Sequence, residues 1–140
     1  MAMKKTIGAI VASFILLSAG GYLIHNVWLA QDYQQHSELW RTQNAMLHRL
    51  PHIYIANLIF SIAAVLIYAR GVEARPWVGQ GIRFGILLAL VTVIPNSLVE
   101  YVVYPLPHQL VLKWMIGGGL LSIIVALGIA AICQPKQQSS

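Results

Sequence analysis

Four long apolar stretches divide this sequence, at residues 6–30, 51–70, 81–104 and 109–132. A helix needs about 20 apolar residues to cross roughly 30 Å of bilayer hydrocarbon, and each stretch meets or approaches that length. A membrane β-barrel would instead need at least about eight alternating strands of about 10 residues. The sequence therefore predicts an all-α membrane protein, an up-down bundle of four transmembrane helices in a single domain (residues 1–133).

The composition supports lipid as the main solvent. Of the 140 residues, 58% are hydrophobic and 9% are charged, whereas about a quarter of a soluble domain is charged. The net charge is +5, and the basic residues lie beside apolar segments and form no basic run with interleaved aromatics. We therefore expect membrane lipids rather than nucleic acid as partners. Cys133 is the single cysteine, which excludes an intrachain disulfide and a CxxC redox pair.

Both ends of the chain raise a question of processing or disorder. Lys4 and Lys5 precede an apolar centre, as in a secretory signal peptide. The apolar part continues through residues 21–30, beyond a typical signal-peptide core of about 7–15 residues, so we expect a retained span. The polar segment QPKQQSS, residues 134–140, predicts a disordered tail.

The distribution of basic residues predicts the orientation, because loops on the cytoplasmic side carry more Lys and Arg. One side of the four spans holds Lys4, Lys5, Arg70, Arg75, Arg83 and Lys136. The other side holds Arg41, Arg49 and Lys113. We therefore expect a bacterial inner-membrane protein with both termini in the cytoplasm. Arg70, Arg75 and Arg83 are expected to contact lipid headgroups.

The first outer loop carries its own apolar pattern. Leu39, Trp40, Met46, Leu47 and Leu50 fall within one helical arc of roughly 100°. This pattern predicts a short amphipathic helix, which could lie flat at the membrane interface or cap the mouth of the bundle.

A stripe of small and polar residues follows one face of the third span. Steps of three and four residues stay on one face of a helix. Small residues let neighbouring helices approach, and polar ones can bond across the interface, so this face is expected to point into the bundle. The stripe consists of Gly81, Gly85, Ala89, Thr92, Asn96 and Glu100.

Polar residues are concentrated at the outer ends of the spans. A carboxylate at the centre of a bilayer costs on the order of 2.5–3.5 kcal/mol, so Glu100 needs a partner or water, and His25 is the expected partner. The predicted site is an outward-facing pocket for a ligand or a proton, formed by His25, Asn26, Asn57, Asn96 and Glu100. The alternative is that these groups only hold the helices together.

Histidine pairs raise the question of a metal or haem. His48 and His52 are spaced like a metal pair, but Pro51 intervenes and no third ligand is in register. His25 and His52 could lie at similar depth, as bis-histidine haem ligation requires. These are minor alternatives, and no cofactor is predicted.

The segment of residues 68–107 contains the element GIRFG (Gly81 to Gly85) followed by the proline-polar element around Pro95. It resembles small four-span bacterial inner-membrane proteins of uncharacterised function. The resemblance implies no activity, and the sequence has no GxSxG or HExxH motif. We therefore expect a non-enzymatic accessory, assembly or structural subunit, in a homo-oligomer or a larger membrane complex. The alternative is a small transporter or binding protein that uses the outer pocket for a solute, lipid, metal or proton.

Overall fold

The computed structural model describes residues 2–134 and confirms the all-α architecture. Within those residues, four helices are long and apolar enough to cross a membrane: Met3–Trp28, Leu50–Gly71, Trp77–Val103 and His108–Cys133. We call them the first to fourth spans. Each overlaps its predicted stretch, and the largest difference is at the third, which begins at residue 77 rather than 81. Residues 135–140 of the predicted tail lie outside the described residues.

Consecutive spans run in opposite directions, so the molecule has two ends. The termini side holds Ala2, Gln134 and the short connection at residues 72–76. The loop side holds the connections at residues 29–49 and 104–107. On the termini side, Lys5 Nζ donates a hydrogen bond of 2.7 Å to the Gln134 carbonyl and so joins the two ends of the chain.

The spans pack side by side in the order second, first, fourth, third. The fourth span is the most enclosed, since 39% of its most apolar window is buried, against 11% to 17% in the others. The buried core of the molecule is formed mainly where the fourth span meets its two neighbours, around Val125, Ala126 and Ile129.

Close approach of the third and fourth spans depends on two glycines. A Cβ at Gly85 would lie 2.5 Å from Ile123 Cα and 3.0 Å from the Ser122 carbonyl oxygen. A Cβ at Gly81 would lie 3.1 Å from Leu127 Cα. Because these neighbours are backbone atoms that cannot turn aside, glycine is required there, and the small half of the predicted stripe faces the fourth span.

The second and third spans stand at the two ends of this row and share little backbone contact. On the termini side their side chains meet, since the rings of Tyr68 and Phe84 pack edge to face with centroids 5.2 Å apart. Toward the loop side the second and third spans are separated, and a cleft opens between them.

Two spans contain a π-helical turn, Leu23–Trp28 in the first and Ala89–Val93 in the third. In the first, the Leu29 N–H bonds the Ile24 carbonyl at 2.9 Å. In the third, the Ile94 N–H bonds the Ala89 carbonyl immediately before Pro95. Proline has no N–H to continue the regular ladder of hydrogen bonds, and the wider turn ends directly before Pro95.

The connection between the first two spans is helical, as expected, but not one amphipathic helix. It contains Ala30–Gln35, a 3₁₀ turn at Ser37–Leu39 and Gln43–Leu47. Trp40 is extended (φ −112°, ψ 156°) and interrupts the predicted arc. Trp40 is half-buried, whereas Met46 and Leu47 are exposed. Contact of the exposed part with the membrane interface stays a prediction.

Candidate functional site

The cleft between the second and third spans is the candidate site, with a volume of about 630 Å³. That size lies within the range of roughly 300–1,000 Å³ common for small-molecule sites. All four spans contribute to its walls. The polar or titratable lining residues are His25, Asn57, Thr92, Asn96, Ser97 and Glu100, and the aromatic ones are Phe60 and Trp114.

Four of the five predicted pocket residues line this cleft, and Asn26 does not. His25, Asn57, Asn96 and Glu100 come from three different spans. Asn26 lies in the π-helical turn beside His25, is exposed, and points elsewhere. Adjacent residues of a helix point about 100° apart at roughly 3.6 residues per turn, so His25 and Asn26 do not share a face.

A ladder of small polar side chains holds the second span against the first. The Asn57 amide donates to Ser18 Oγ at 3.1 Å, and Ser13 Oγ bonds Ser61 Oγ at 3.2 Å in a fully buried position. Ser61 also donates to the Asn57 carbonyl at 2.8 Å. This wall of the cleft is therefore fixed by interhelical hydrogen bonds.

The expected pairing of Glu100 with His25 is not observed, although both residues line the cleft. The Asn96 amide donates to Glu100 Oε1 at 3.0 Å, one helical turn away on the same span. Pairing within a helix needs no approach of two spans, which is why it forms here.

His25 is held by Tyr33 in a short chain of hydrogen bonds. The Trp114 indole N–H donates to the Tyr33 hydroxyl at 2.8 Å, and the hydroxyl lies 2.5 Å from His25 Nδ1. Because an indole N–H can only donate, the hydroxyl accepts there and is free to donate to Nδ1. A neutral imidazole with its proton on Nε2 fits this arrangement, and the second lone pair of the hydroxyl fits an Nδ1–H donor equally well.

Tyr33 has an altered acidity that agrees with its position. Its pKa is raised from 10.0 to about 12, mainly by burial; the hydrogen bond from Trp114 lowers the pKa, and the negative charges of Asp32 and Glu100 add to the increase.

An aromatic cap covers the cleft on the loop side, and sequence reasoning missed most of it. The Trp40 ring packs edge to face on Tyr33 with centroids 5.2 Å apart, and lies 6.1 Å from Trp114. Lys113 Nζ bonds both carboxylate oxygens of Asp32, at 2.7 and 2.8 Å. The signal in the sequence was the run of aromatic and charged residues in a loop between two apolar spans, but it did not specify partners.

The lining of the cleft carries a carboxylate but no Lys or Arg. Among the lining residues, all of which the structure describes, Glu100 is the one acid, and none is Lys or Arg. Lys113, beside the cap, is paired with Asp32. An isolated carboxylate without a cationic partner attracts positively charged ligands.

The histidines proposed for a metal or haem lie on separate elements. His48 ends the short loop helix, whereas His52 lies in the first turn of the second span, with its Nδ1 3.3 Å from the Arg49 carbonyl oxygen. His52 is exposed and does not line the cleft that His25 lines. Within residues 2–134 no group of three or more His, Cys, Asp or Glu could hold a metal ion.

The three arginines expected at lipid headgroups all lie toward the termini side and are exposed. Arg70 donates to the Leu66 carbonyl at 3.2 Å, and Arg75 pairs with Glu73 at 2.9 Å. Arg83 lines a second, mostly apolar groove of about 340 Å³ between the second and third spans, which Tyr68 and Phe84 also line. Headgroup binding stays a prediction for all three.

No protein-family model, no curated protein and no solved structure matches this chain, so the resemblance to small four-span membrane proteins stays a prediction.

Proposed function

We propose that this chain is a non-enzymatic, membrane-embedded binding protein that holds a small ligand in the cleft between its second and third spans. The observation that carries the proposal is the convergence of His25, Asn57, Asn96 and Glu100 from three spans on one open cleft. A site of convergent polar groups in mostly apolar walls is the usual form of a small-molecule site.

The physical argument concerns what fills the cleft when the protein is in a membrane. The cleft lies beside two spans whose other faces are apolar and exposed, for example at Ile55 and Val99. Hydrocarbon chains would leave the Asn96 amide as the one polar partner of the Glu100 carboxylate, and a carboxylate surrounded by hydrocarbon costs several kcal/mol. A ligand with a polar part and an apolar part removes this cost.

A second candidate is an accessory subunit whose partner helix occupies the same place. It is supported by the packing of the second span, which contacts the rest of the molecule mainly through the first span and leaves most of its surface exposed. In that case the chain would work in a homo-oligomer or a larger membrane complex.

The proposal includes the bacterial inner membrane as the location, with both termini in the cytoplasm. Six Lys and Arg residues against three support this orientation. The cleft and its aromatic cap would then face outward.

Native mass spectrometry of gently solubilised protein tests the proposal. The cleft-filling change Ala56→Trp should release the copurifying small molecule, because Ala56 lines the cleft. The matched control is Ala19→Trp, an exposed position of the first span outside the cleft lining. Wild type and the control should retain the molecule.

Two results would contradict the binding proposal. One is wild-type protein with no bound small molecule, and the other is equal retention by Ala56→Trp. A stoichiometric bound protein that Ala56→Trp displaces would instead establish the accessory-subunit function.

A further inference from the structure

We propose that the cleft selects lipophilic organic cations, such as amines or quaternary onium ions that carry apolar groups. This inference rests on the proposed binding function and specifies its ligand class. It follows from the charge of the cleft, the free oxygen of Glu100 and the aromatic face of Trp114.

The first argument is the unmatched charge. Glu100 is the one acid and no Lys or Arg lines the cleft. The basic side chain of the cap, Lys113, bonds both oxygens of Asp32. A phosphate or carboxylate ligand would therefore meet the negative charge of Glu100 with no Lys or Arg in the lining to offset it, whereas a cation would neutralise the site.

The second argument is the geometry of the carboxylate. Glu100 Oε1 accepts from the Asn96 amide at 3.0 Å, which fixes the side chain. Within the described residues, Oε2 accepts no hydrogen bond from the protein. One oxygen thus orients the group and the other is available to a cation.

The third argument is aromatic. Trp114 lines the same cleft as Glu100, and a tryptophan face attracts cations within about 6 Å of its centroid. The indole is held by its bond to the Tyr33 hydroxyl at 2.8 Å and by the Trp40 ring at 6.1 Å. A fixed aromatic face and a carboxylate together suit a diffuse positive charge.

The fourth argument is the apolar remainder of the walls. Leu17, Phe60, Val93 and Leu121 line the same space. These walls suit the apolar groups of the ligand, so a small hydrated cation such as an alkali metal ion is a poor match.

Two probes of the same shape and opposite charge separate the effect of the charge in the cleft from the effect of its apolar walls. Tetraphenylphosphonium is the cationic probe, and tetraphenylborate is the anionic one. Equilibrium dialysis with the full chain in a nonionic detergent should give at least tenfold tighter binding of the phosphonium. Because this comparison uses the wild-type protein alone, it does not depend on any variant folding.

Glu100→Gln keeps the shape of the side chain and removes the charge. It should weaken phosphonium binding about tenfold or more, as loss of a desolvated charge pair does, and leave borate binding unchanged or improved. The control Glu38→Gln removes the same charge from an exposed position of the loop and should bind like wild type.

The outcomes distinguish the cation proposal from the binding function. Equal affinity for both probes, or unchanged phosphonium affinity in Glu100→Gln, would overturn the cation selectivity while the release test at Ala56 could still support a bound molecule. Binding of neither probe overturns the lipophilic-cation proposal. If native protein also carries no small molecule, the binding function is overturned with it.

Discussion

Lys113 Nζ lies 2.7 and 2.8 Å from the two carboxylate oxygens of Asp32, so an ion pair joins the loop after the first span to the start of the fourth. It anchors the loop at the residue before Tyr33, which bonds His25. This ion pair between distant parts of the chain therefore acts together with the hydrogen bonds of Tyr33 to hold the cap in place.

A double-mutant cycle on this pair should show a modest coupling. Asp32→Ala and Lys113→Ala should each lower the midpoint of thermal unfolding, with a coupling of about 0.5–1 kcal/mol, because the side chains are 21% and 37% exposed and solvent screens the pair. Glu73→Gln is the comparison, since its pair with Arg75 is 51% and 64% exposed. An effect of Glu73→Gln as large as that of Asp32→Ala would contradict the prediction.

Gly85→Ala should separate the third and fourth spans. Its Cβ would meet Ile123 Cα at 2.5 Å, and overpacking against backbone typically costs about 1–3 kcal/mol. The measurement is the midpoint of thermal unfolding in detergent. Gly79→Ala, in the same helix with nothing within 4 Å of its Cβ, should be neutral or slightly stabilising. Equal behaviour of the two variants would refute the close packing.

Stability should fall at high pH through Tyr33. Its folded pKa of about 12 lies above the ordinary value of 10.0, so the folded state holds the phenolic proton more tightly. The resulting stabilisation is complete below about pH 10 and is lost as the pH rises toward 12.

Unfolding midpoints measured from about pH 8 to about pH 12 check this expectation, because that range includes the ordinary and the folded pKa of Tyr33. Tyr33→Phe should lower the unfolding midpoint at pH 8, because losing the hydrogen bonds of the hydroxyl lowers the free energy of unfolding by about 1 kcal/mol. Above pH 10 its midpoint should fall less steeply than that of the wild type. Tyr101→Phe, at an exposed position, should follow wild type. If the midpoint of Tyr33→Phe fell as steeply above pH 10 as that of the wild type, groups other than Tyr33 would cause the loss of stability.

Single cysteines should report both termini in the cytoplasm. In a Cys133→Ala background, Gln34→Cys on the loop side should react with an impermeant maleimide in intact cells. Ala74→Cys on the termini side should react only after lysis. Both positions are exposed. The reverse pattern would invert the proposed orientation.

Sequence alone determined the number of spans and their approximate bounds, because a bilayer requires long apolar helices whatever they pack against. It also determined that Gly81 and Gly85 face a neighbouring helix, since small residues at helical spacing have few other uses in a span. The grouping of His25, Asn57, Asn96 and Glu100 at one end of the bundle was likewise visible from the alternating directions of the spans.

Only the tertiary structure decided which residues meet. The order of the spans and the open cleft follow from how closely particular helix faces fit together. Mean hydropathy is nearly the same for all four spans, so it cannot predict which spans become neighbours. Of the two polar neighbours on the first span, His25 lines the cleft and Asn26 does not, because the packing of the helices decides which face of that span borders the cleft. The bonds of Tyr33 to His25 and Trp114, and of Asp32 to Lys113, join residues 8 to 81 positions apart. Such contacts depend on the fold of the whole chain, and no local pattern encodes them.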